Sequence, residues 1–443
     1  MKTNIPKREA MIQTHEGAPA VKEAAEKELT RTVSCLMLFE ETFYESGEGT
    51  AKRINELCEQ VSITFLCTLA VKARTDLKLR HAPLYLMTRA LAKKGSVAER
   101  NLIGQTISDV IQRADELSEI LAIYWKDGRK KVPRQLKAGI AKAFRKFSAY
   151  NLAKYNRDGA VKLRDALFIS HAKPKDAEQA ATWKKLAEKT LEAPDTWEVS
   201  LSAGADKKET FTRLLTEKKL GYMALLRNLR NMEESGVDRP LVEAALLAGA
   251  SESKALPFRF VAAARFAPSF AATLSDAMLA AIDASDKLMG KTALLVDVSG
   301  SMDGELSAKS KLSRVDAACA LAVLLREITP MTRVFQFGTR CREIPAYRGM
   351  GLVDAIKDNK VDHGTEIGFA VAYTLKAFPD LERMFVVTDM QSMDSVLYKG
   401  GFKGYYINTA PYEPAMPTFG GQWTIISGFS ERIVEWVREE ERK

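Results

Sequence analysis

The chain has 443 residues, 46% of them hydrophobic and 28% charged, an ordinary globular composition too long for a single core, so two or three domains are expected. No apolar run reaches transmembrane length and the polar N-terminus lacks a secretory signal core, which predicts a cytosolic protein with no membrane partner. The formal charge is +9, and the five cysteines are widely spaced with no CxxC, which speaks against a disulfide framework and a zinc ribbon.

The first part of the chain, to about residue 285, has helical period and few strand signals. In "EKELTRTVSCLMLFEETFYE", Leu29, Val33, Leu36 and Met37 share a stripe. "ISDVIQRADELSEILAIYWK" places Ile107, Val110, Ile111, Ala114, Leu117 and Leu121 on another. "PRQLKAGIAKAFRKFSAYNLAKY" opens with Pro133, read as the first helical residue, and lines up Leu136, Ile140, Phe144 and Phe147. Consecutive helices with short polar joints suggest an all-α, solenoid-like stack. Cys58, Cys67 and Cys319 sit in apolar helical patterns, which reads as buried free thiols.

Charge is unevenly spread along this part. Arg129 to Lys175 holds about 14 Lys and Arg against only Asp158 and Asp165. Arg134, Lys137, Lys142, Arg145 and Lys146 decorate the helix just described, and Lys154, Arg157, His171, Lys173 and Lys175 follow. Each charge alone is most simply a solvated surface residue. The surplus as a block repels itself and calls for a polyanion, with phosphate backbone the best supplier. Tyr150, Tyr155 and His171 offer stacking partners for unpaired bases, which favours RNA over duplex DNA. For each tyrosine alone, core packing is the plainer reading.

After about Lys287 the pattern changes. "KTALLVDVS", "RVFQFGTRCREIP", "RMFVVTDMQ", "GYYINTA" and "QWTIISGFS" read as strands. "KLSRVDAACALAVLLREI", "GLVDAIKDN", "TEIGFAVAYTLKAF" and "SERIVEWVREEERK" read as helices. Alternating helices and continuous apolar strands predict a doubly wound, mostly parallel α/β sheet. Ligands of such sheets sit at the carboxyl ends of the strands. From residue 290 onward, about 19 Lys and Arg meet about 20 Asp and Glu, so this part is near neutral.

At those strand ends stand Asp297, Ser299, Ser301, Thr365 and Asp389. Two carboxylates and three hydroxyls make an all-oxygen donor set suited to a hard divalent cation, magnesium first, with manganese or calcium as alternatives. The plainer reading is that Ser299 and Ser301 cap the following helix while Asp297 accepts backbone N–H bonds. Gly290-Lys291-Thr292 is no phosphate loop: Ser285 stands where a glycine is required, and the triplet precedes a strand. A hydrolytic site would need more clustered carboxylates or a base. His363 is the one base nearby in sequence, and a turn-stabilising role fits it better.

Two resemblances rest on these motifs. D-x-S-x-S at 297–301, Gly364-Thr365 and Thr388-Asp389 resemble the metal-ion-dependent adhesion site of von Willebrand factor A domains. That resemblance implies a cation with one open position that a partner's carboxylate completes. "LAKYNRDG…LRDALFISHAKPK" resembles the heart of the TROVE module of the Ro autoantigen family, which places Lys154, Arg157 and His171 at RNA contacts. The order TROVE then A domain is that of Ro proteins, and the length suits a bacterial or phage member.

The implied architecture is a HEAT-like helical ring over residues 1–286 and an A domain over residues 287–443, forming a monomeric ring. The implied function is non-enzymatic. It is capture of small Y-like noncoding RNAs and of single-stranded 3′ ends of structured or misfolded RNAs, for quality control with an exoribonuclease partner. The alternative is a metal-dependent protein-interaction module in which the helical half is a scaffold.

Overall fold

The structure is a computed structural model that describes residues 24–35, 47–283 except 127, 157 and 254, 287–307, 310–358, 364–394, 401–410, 423–427, 433–434, 437–438 and 441. The helical half opens with α1 (Ala25–Cys35), α2 (Gly47–Gln60), α3 (Ile63–Thr75), α4 (His81–Ala92), α5 (Val97–Val110) and α6 (Glu116–Tyr124). It continues with α7 (Arg134–Phe144), α8 (Ala149–Tyr155), α9 (Leu163–Ser170) and α10 (Ala177–Glu188). It ends with α11 (Trp197–Ser202), α12 (Lys207–Thr216), α13 (Tyr222–Glu234), α14 (Arg239–Ala248), α15 (Pro257–Phe266) and α16 (Ala271–Asp283).

Local chemistry explains several of these boundaries. Ser96 and Glu99 form a reciprocal capping box at the start of α5, and Ser148 with Asn151 does the same for α8, each satisfying amides the helix leaves open. Pro133 proves to be the N-cap of α7, with Arg134 the first helical residue. The expected stripe is buried: Leu136, Ile140 and Phe144 face inward together with Gly139 and Ala143. A Cβ at Gly139 would lie 2.6 Å from Ile107 and 2.8 Å from the Gly104 carbonyl. Only glycine lets α7 approach α5 so closely.

A first core runs from Leu29 to Leu186 and fills α1 to α10. One ion pair is sunk into it. Arg74 Nη2 meets Glu116 Oε1 at 2.7 Å, its Nε and Nη1 reach the carbonyls of Val110 and Leu79, and the amides of Gln112 and Arg113 donate to Glu116. The pair is fully hydrogen-bonded, the condition under which a buried pair is tolerated.

The second half carries β1 (Thr292–Asp297), a short hairpin of β2 (Glu305–Ser307) and β3 (Ser310–Ser313), and α17 (Arg314–Ile328). Then come β4 (Thr332–Phe337), β5 (Cys341–Ile344), α18 (Gly349–Lys357), α19 (Ile367–Ala377), β6 (Arg383–Thr388), β7 (Lys403–Asn408) and β8 (Trp423–Ser427). The main sheet has the order β5-β4-β1-β6-β7-β8. It is parallel throughout except for β5, which runs antiparallel at the edge. The β2–β3 hairpin has no counterpart in the sequence reading, which began the α17 helix three residues too early.

Strand alternation divides the sheet into two buried faces. Leu294, Val296, Phe385, Val387, Tyr405 and Ile407 join α17 and α18, and that same core continues back through α16 to Phe211 on α12. Ala293, Leu295, Phe335, Phe337, Val386 and Tyr406 form the other face with α19. The helical half and the sheet therefore share one core across residue 286. α1 also lies against β8, so the first described helix meets the last strand of the sheet and the layers close into a ring.

Asp316, almost wholly buried at the start of α17, ties the junction. Arg265 of α15 reaches it at 2.7 Å and Lys357 of α18 at 2.7 Å. It also closes a capping box with Ser313. Burial alone would raise this carboxyl, but Lys357, the Ser313 amide and Arg265 hold it below the ordinary value. A depressed carboxyl contributes stability above its unfolded value, lost as pH falls through the folded one. Replacing Asp316 by Ala removes the cap and strands two half-exposed cations, which should cost about 2 kcal/mol. Urea unfolding of the variant and the wild-type chain at neutral pH and at pH 3 measures this, with the gap between them closing at the lower pH.

Candidate cation site and basic surface

The carboxyl edge of the sheet collects the predicted oxygen donors. β1 and β6 are direct neighbours, Val296 opposite Val387, so Asp297 and Asp389 leave the sheet side by side. Both are completely buried, as are Ser299 and Thr388, while Ser301 and Thr365 are nearly so. Asp297 Oδ1 accepts the Ser299 amide at 2.9 Å, and its Oδ2 accepts the Thr388 hydroxyl at 2.5 Å. Ser299 Oγ and Ser301 Oγ lie 3.4 Å apart. Neither serine caps a helix with its side chain at this turn, and a hairpin separates them from α17. The capping reading therefore fails for the serines and holds only for one oxygen of Asp297.

Thr365 reaches the same edge through its backbone. The Glu366 amide donates to Gly338, just beyond β4, and the Thr365 carbonyl accepts from Met393 at 2.8 Å. The loop after β6 then caps α19: Ser392 accepts the Ile367 amide, and Asp394 accepts those of Gly368 and Phe369. Met390 is held at φ 59°, a left-handed conformation costly for a large side chain. That turn directs the chain away from the sheet just after Asp389, whose Oδ1 accepts the Gln391 amide at 3.2 Å.

The electrostatics of this pair are unfavourable as they stand. Burial and the neighbouring Asp389 push the Asp297 carboxyl up to about 7, against the opposing bonds from Ser299 and Thr388. Arg314, the first residue of α17 and buried, stands 3.9 Å from Asp389 Oδ2 and bonds the Ser301 carbonyl at 3.4 Å. Its role escaped the sequence reading, although it follows a capping serine. One guanidinium does not neutralise the pair, since Asp297 stays raised. Among the described residues no group of three or more His, Cys, Asp or Glu is placed to hold a metal. A cation here would rest on two carboxylates and hydroxyls, a donor set that suits a hard ion. His363 lies outside the described residues.

The basic block folds over α7 to α10. Arg134, Lys142, Arg145 and His171 are exposed, and Lys137 and Lys154 are half-buried. Among the described residues, none of these six has a carboxylate partner. Arg157 lies outside the described residues. Arg145 Nε donates to the Lys173 carbonyl at 3.0 Å and so fastens the loop that follows α9 to the end of α7. His171 is the left-handed C-cap of α9, with φ 52°, which turns the chain into that loop.

Lys154 Nζ lies 5.8 Å from the Tyr150 ring and 5.9 Å from the Tyr155 ring. Tyr155 is half-buried under Arg113. Tyr150 is 50% exposed, so the core-packing reading does not hold for it. Phe168, one turn before His171, is 54% exposed beneath Arg164. Leu163, Ala166, Leu167 and Ser170 form the buried stripe of α9, and Phe168 falls outside it.

The TROVE domain family profile matches residues 174–281, that is α10 to α16. The match begins where the TROVE-like motif containing Lys154 and His171 ends. The fold is that of the crystal structure of the Deinococcus radiodurans RO (RSR) protein, with a TM-score of 0.60 and 18% sequence identity over 92% of this chain and 97% of that one. No curated protein sequence matches the chain.

The raised Asp297 carboxyl yields a test in metal-free buffer. A carboxyl whose folded value exceeds its unfolded one (near 4) weakens the fold as pH rises through the folded value. Asp297→Asn should raise the thermal midpoint most at pH 8, by about half as much at pH 5.5, and hardly at all below pH 4. Scanning calorimetry of both chains with chelator present measures the difference.

Proposed function

We propose that this chain, a TROVE-domain protein with the Ro fold, is a non-enzymatic RNA-binding protein whose A domain holds a divalent cation for partner docking. The observation that carries the RNA reading is the surface of α7 to α9: six basic side chains that have no carboxylate partner among the described residues, on the same helices as the exposed rings of Tyr150 and Phe168. Cations left unpaired at this density seek phosphate. Exposed rings beside them take unpaired bases with little regard to sequence. The cargo we propose is small Y-like noncoding RNA and the single-stranded 3′ ends of structured or misfolded RNA. An exoribonuclease partner would degrade or mature what is delivered. Cytoplasmic residence belongs to the same reading; among the described residues no helix is long and apolar enough to cross a membrane.

For the A domain we propose Asp297 and Asp389 as the charged ligands, with Ser299, Ser301 and Thr365 as neutral ones. Magnesium suits the set best, manganese or calcium next. Bound there, the ion would offer an open position to a carboxylate of another protein. The buried, mutually repelling carboxylates support this reading, because a divalent charge relieves the repulsion that burial imposes. The alternative, a metal-dependent interaction module on a passive helical scaffold, predicts no RNA affinity at all.

Two variants separate these roles. Lys154→Ala with His171→Ala should weaken binding of a tailed RNA hairpin about tenfold and lower the slope of log K against log salt by about one. Asp297→Ala should leave that affinity within about twofold while abolishing stabilisation by magnesium. Fluorescence anisotropy and thermal shift read the two effects. Affinity that barely changes between low and moderate salt would sink the RNA reading, and cleavage of the hairpin by purified protein with magnesium would sink the non-enzymatic one.

A further inference from the structure

We infer that the groove between β5 and α18 receives an extended basic segment of a partner protein, which joins the sheet as a further strand. The inference stands apart from the RNA and cation readings and uses none of their residues.

β5 is the outermost strand of the sheet and pairs with β4 on one side only. An edge strand in antiparallel pairing aims alternate N–H and C=O groups away from its neighbour. Among the described residues no strand takes up those of β5. After Pro345 the chain turns, and α18 comes back alongside β5. Arg342 Nη2 donates to the Asp358 carbonyl at 3.3 Å, so the end of the helix lies by the start of the strand. Strand and helix bound a groove of about 520 Å³. It touches Arg342, Glu343 and Ile344 in a row, then Pro345. Side chains of a strand alternate between faces, so a cavity that meets three in succession follows the backbone edge.

The helix wall consists of Gly351, Asp354, Ala355 and Asp358, spaced i, i+3, i+4 and i+7 and therefore on one face. A Cβ at Gly351 would meet only the Tyr347 Cβ, at 3.9 Å, so the small residues leave the space open. The lining holds three carboxylates, Glu343, Asp354 and Asp358, against the single cation Arg342. Glu343 is paired with Arg333. Asp354 and Asp358 are exposed, and among the described residues their carboxylates have no hydrogen-bond or ion-pair partner. Their positions do not favour the helix. Like charges one turn apart repel, and Asp358 stands at the C-cap, the negative end of the dipole. Lys357, the basic residue of that last turn, is engaged by Asp316 instead. In a chain of formal charge +9, this negative groove calls for a cationic partner.

The spacing selects an extended ligand. Four residues of helix rise about 6 Å, and alternate residues of a strand lie about 6.6 Å apart. A strand laid against β5 therefore sets Lys or Arg at alternate positions beside Asp354 and Asp358. Tyr347, 52% exposed and lining the groove near the first turn of α18, offers its ring to a further cation. β5 is four residues long and ends at Pro345, so the backbone contributes few bonds and the carboxylates choose the ligand.

The test uses the full chain and a fluorescein-labelled peptide of about eight residues, alternating lysine and valine, read by anisotropy at low salt. Asp354→Asn with Asp358→Asn should weaken its binding about tenfold. Gly351→Arg, which sets a cation in the groove without removing a packed group, should do the same. The double variant should keep or raise the thermal midpoint, because it removes charges the helix does not favour. Two further peptides carry N-methyl groups on the valine amides or on the lysine amides. One of the two should lose about tenfold in affinity, because a strand bonds its neighbour through alternate residues. Unchanged binding in both variants would place the peptide elsewhere and overturn the inference. Full affinity of both methylated peptides would rule out strand addition, and equal binding of a peptide with glutamate for lysine would rule out selection by charge. A lowered midpoint in the double variant would make the aspartates structural, and a wild-type chain that binds none of the peptides would leave the groove without this role.

Discussion

Two carboxylates buried side by side at adjacent strand ends govern the organisation of the second half. Asp297 and Asp389 are brought together because β1 and β6 pair in register through the most hydrophobic strands of the chain. Their repulsion is set against the burial of Leu294, Leu295, Val386 and Val387. The surrounding structure is arranged to restrain them. Thr388 and the Ser299 amide occupy the oxygens of Asp297, Arg314 approaches Asp389, and Met390 accepts a strained backbone so that the next loop can turn onto α19. Strain and uncompensated charge at one edge of a well-packed sheet mark a place shaped for something other than stability.

The rest of the molecule insulates that edge from the basic surface. One core runs unbroken from α12 through α16 into the sheet, and Asp316 draws Arg265 and Lys357 onto a single buried carboxylate. A separate core fills α1 to α10, the part that carries Arg100, Lys154 and His171. α1 then returns to β8 and closes the circuit. A perturbation at Asp297 must pass through two cores to reach the helices that carry the basic surface. The two chemistries share a frame without sharing side chains.

Much of this was legible in the sequence, for physical reasons that differ from place to place. The all-helical half and the parallel sheet showed through periodicity, because their apolar faces must follow helix and strand geometry. The oxygen donors showed through spacing, since alternate residues after a strand fall on one side of its end. The β2–β3 hairpin did not show: its strands are three and four residues long and partly polar. For Tyr150 the spacing leaves both core packing and base stacking open, because its exposure depends on where α8 packs. Phe168 could have been found, being the one ring off the α9 stripe. Arg100, Asn101 and Gln105 could not, because they meet Arg134 and Lys142 only through the approach of two helices at Gly104 and Gly139.

That last case shows how charge density along a chain differs from charge density in space. The run from Arg129 to Lys175 is conspicuous on paper, yet part of it is absorbed locally. Lys162 pairs with Asp158, and Lys175 lies beside Asp176. Lys146 is drawn inward to the carbonyls of Ser108 and Ile111. Among the described residues, those without a carboxylate partner include Arg134, Lys137, Lys142 and Arg145 along one helix and Lys154 and His171 on the next two. Arg100 joins them from outside the run. Those cations are divided between a groove lined with amides and a ridge bearing exposed rings. Amides satisfy ribose and phosphate, whereas rings satisfy bases that have left their stack. On the proposed reading, a surface that offers both, joined by the Arg145–Lys173 contact, would discriminate by the shape of a nucleic acid rather than by its sequence.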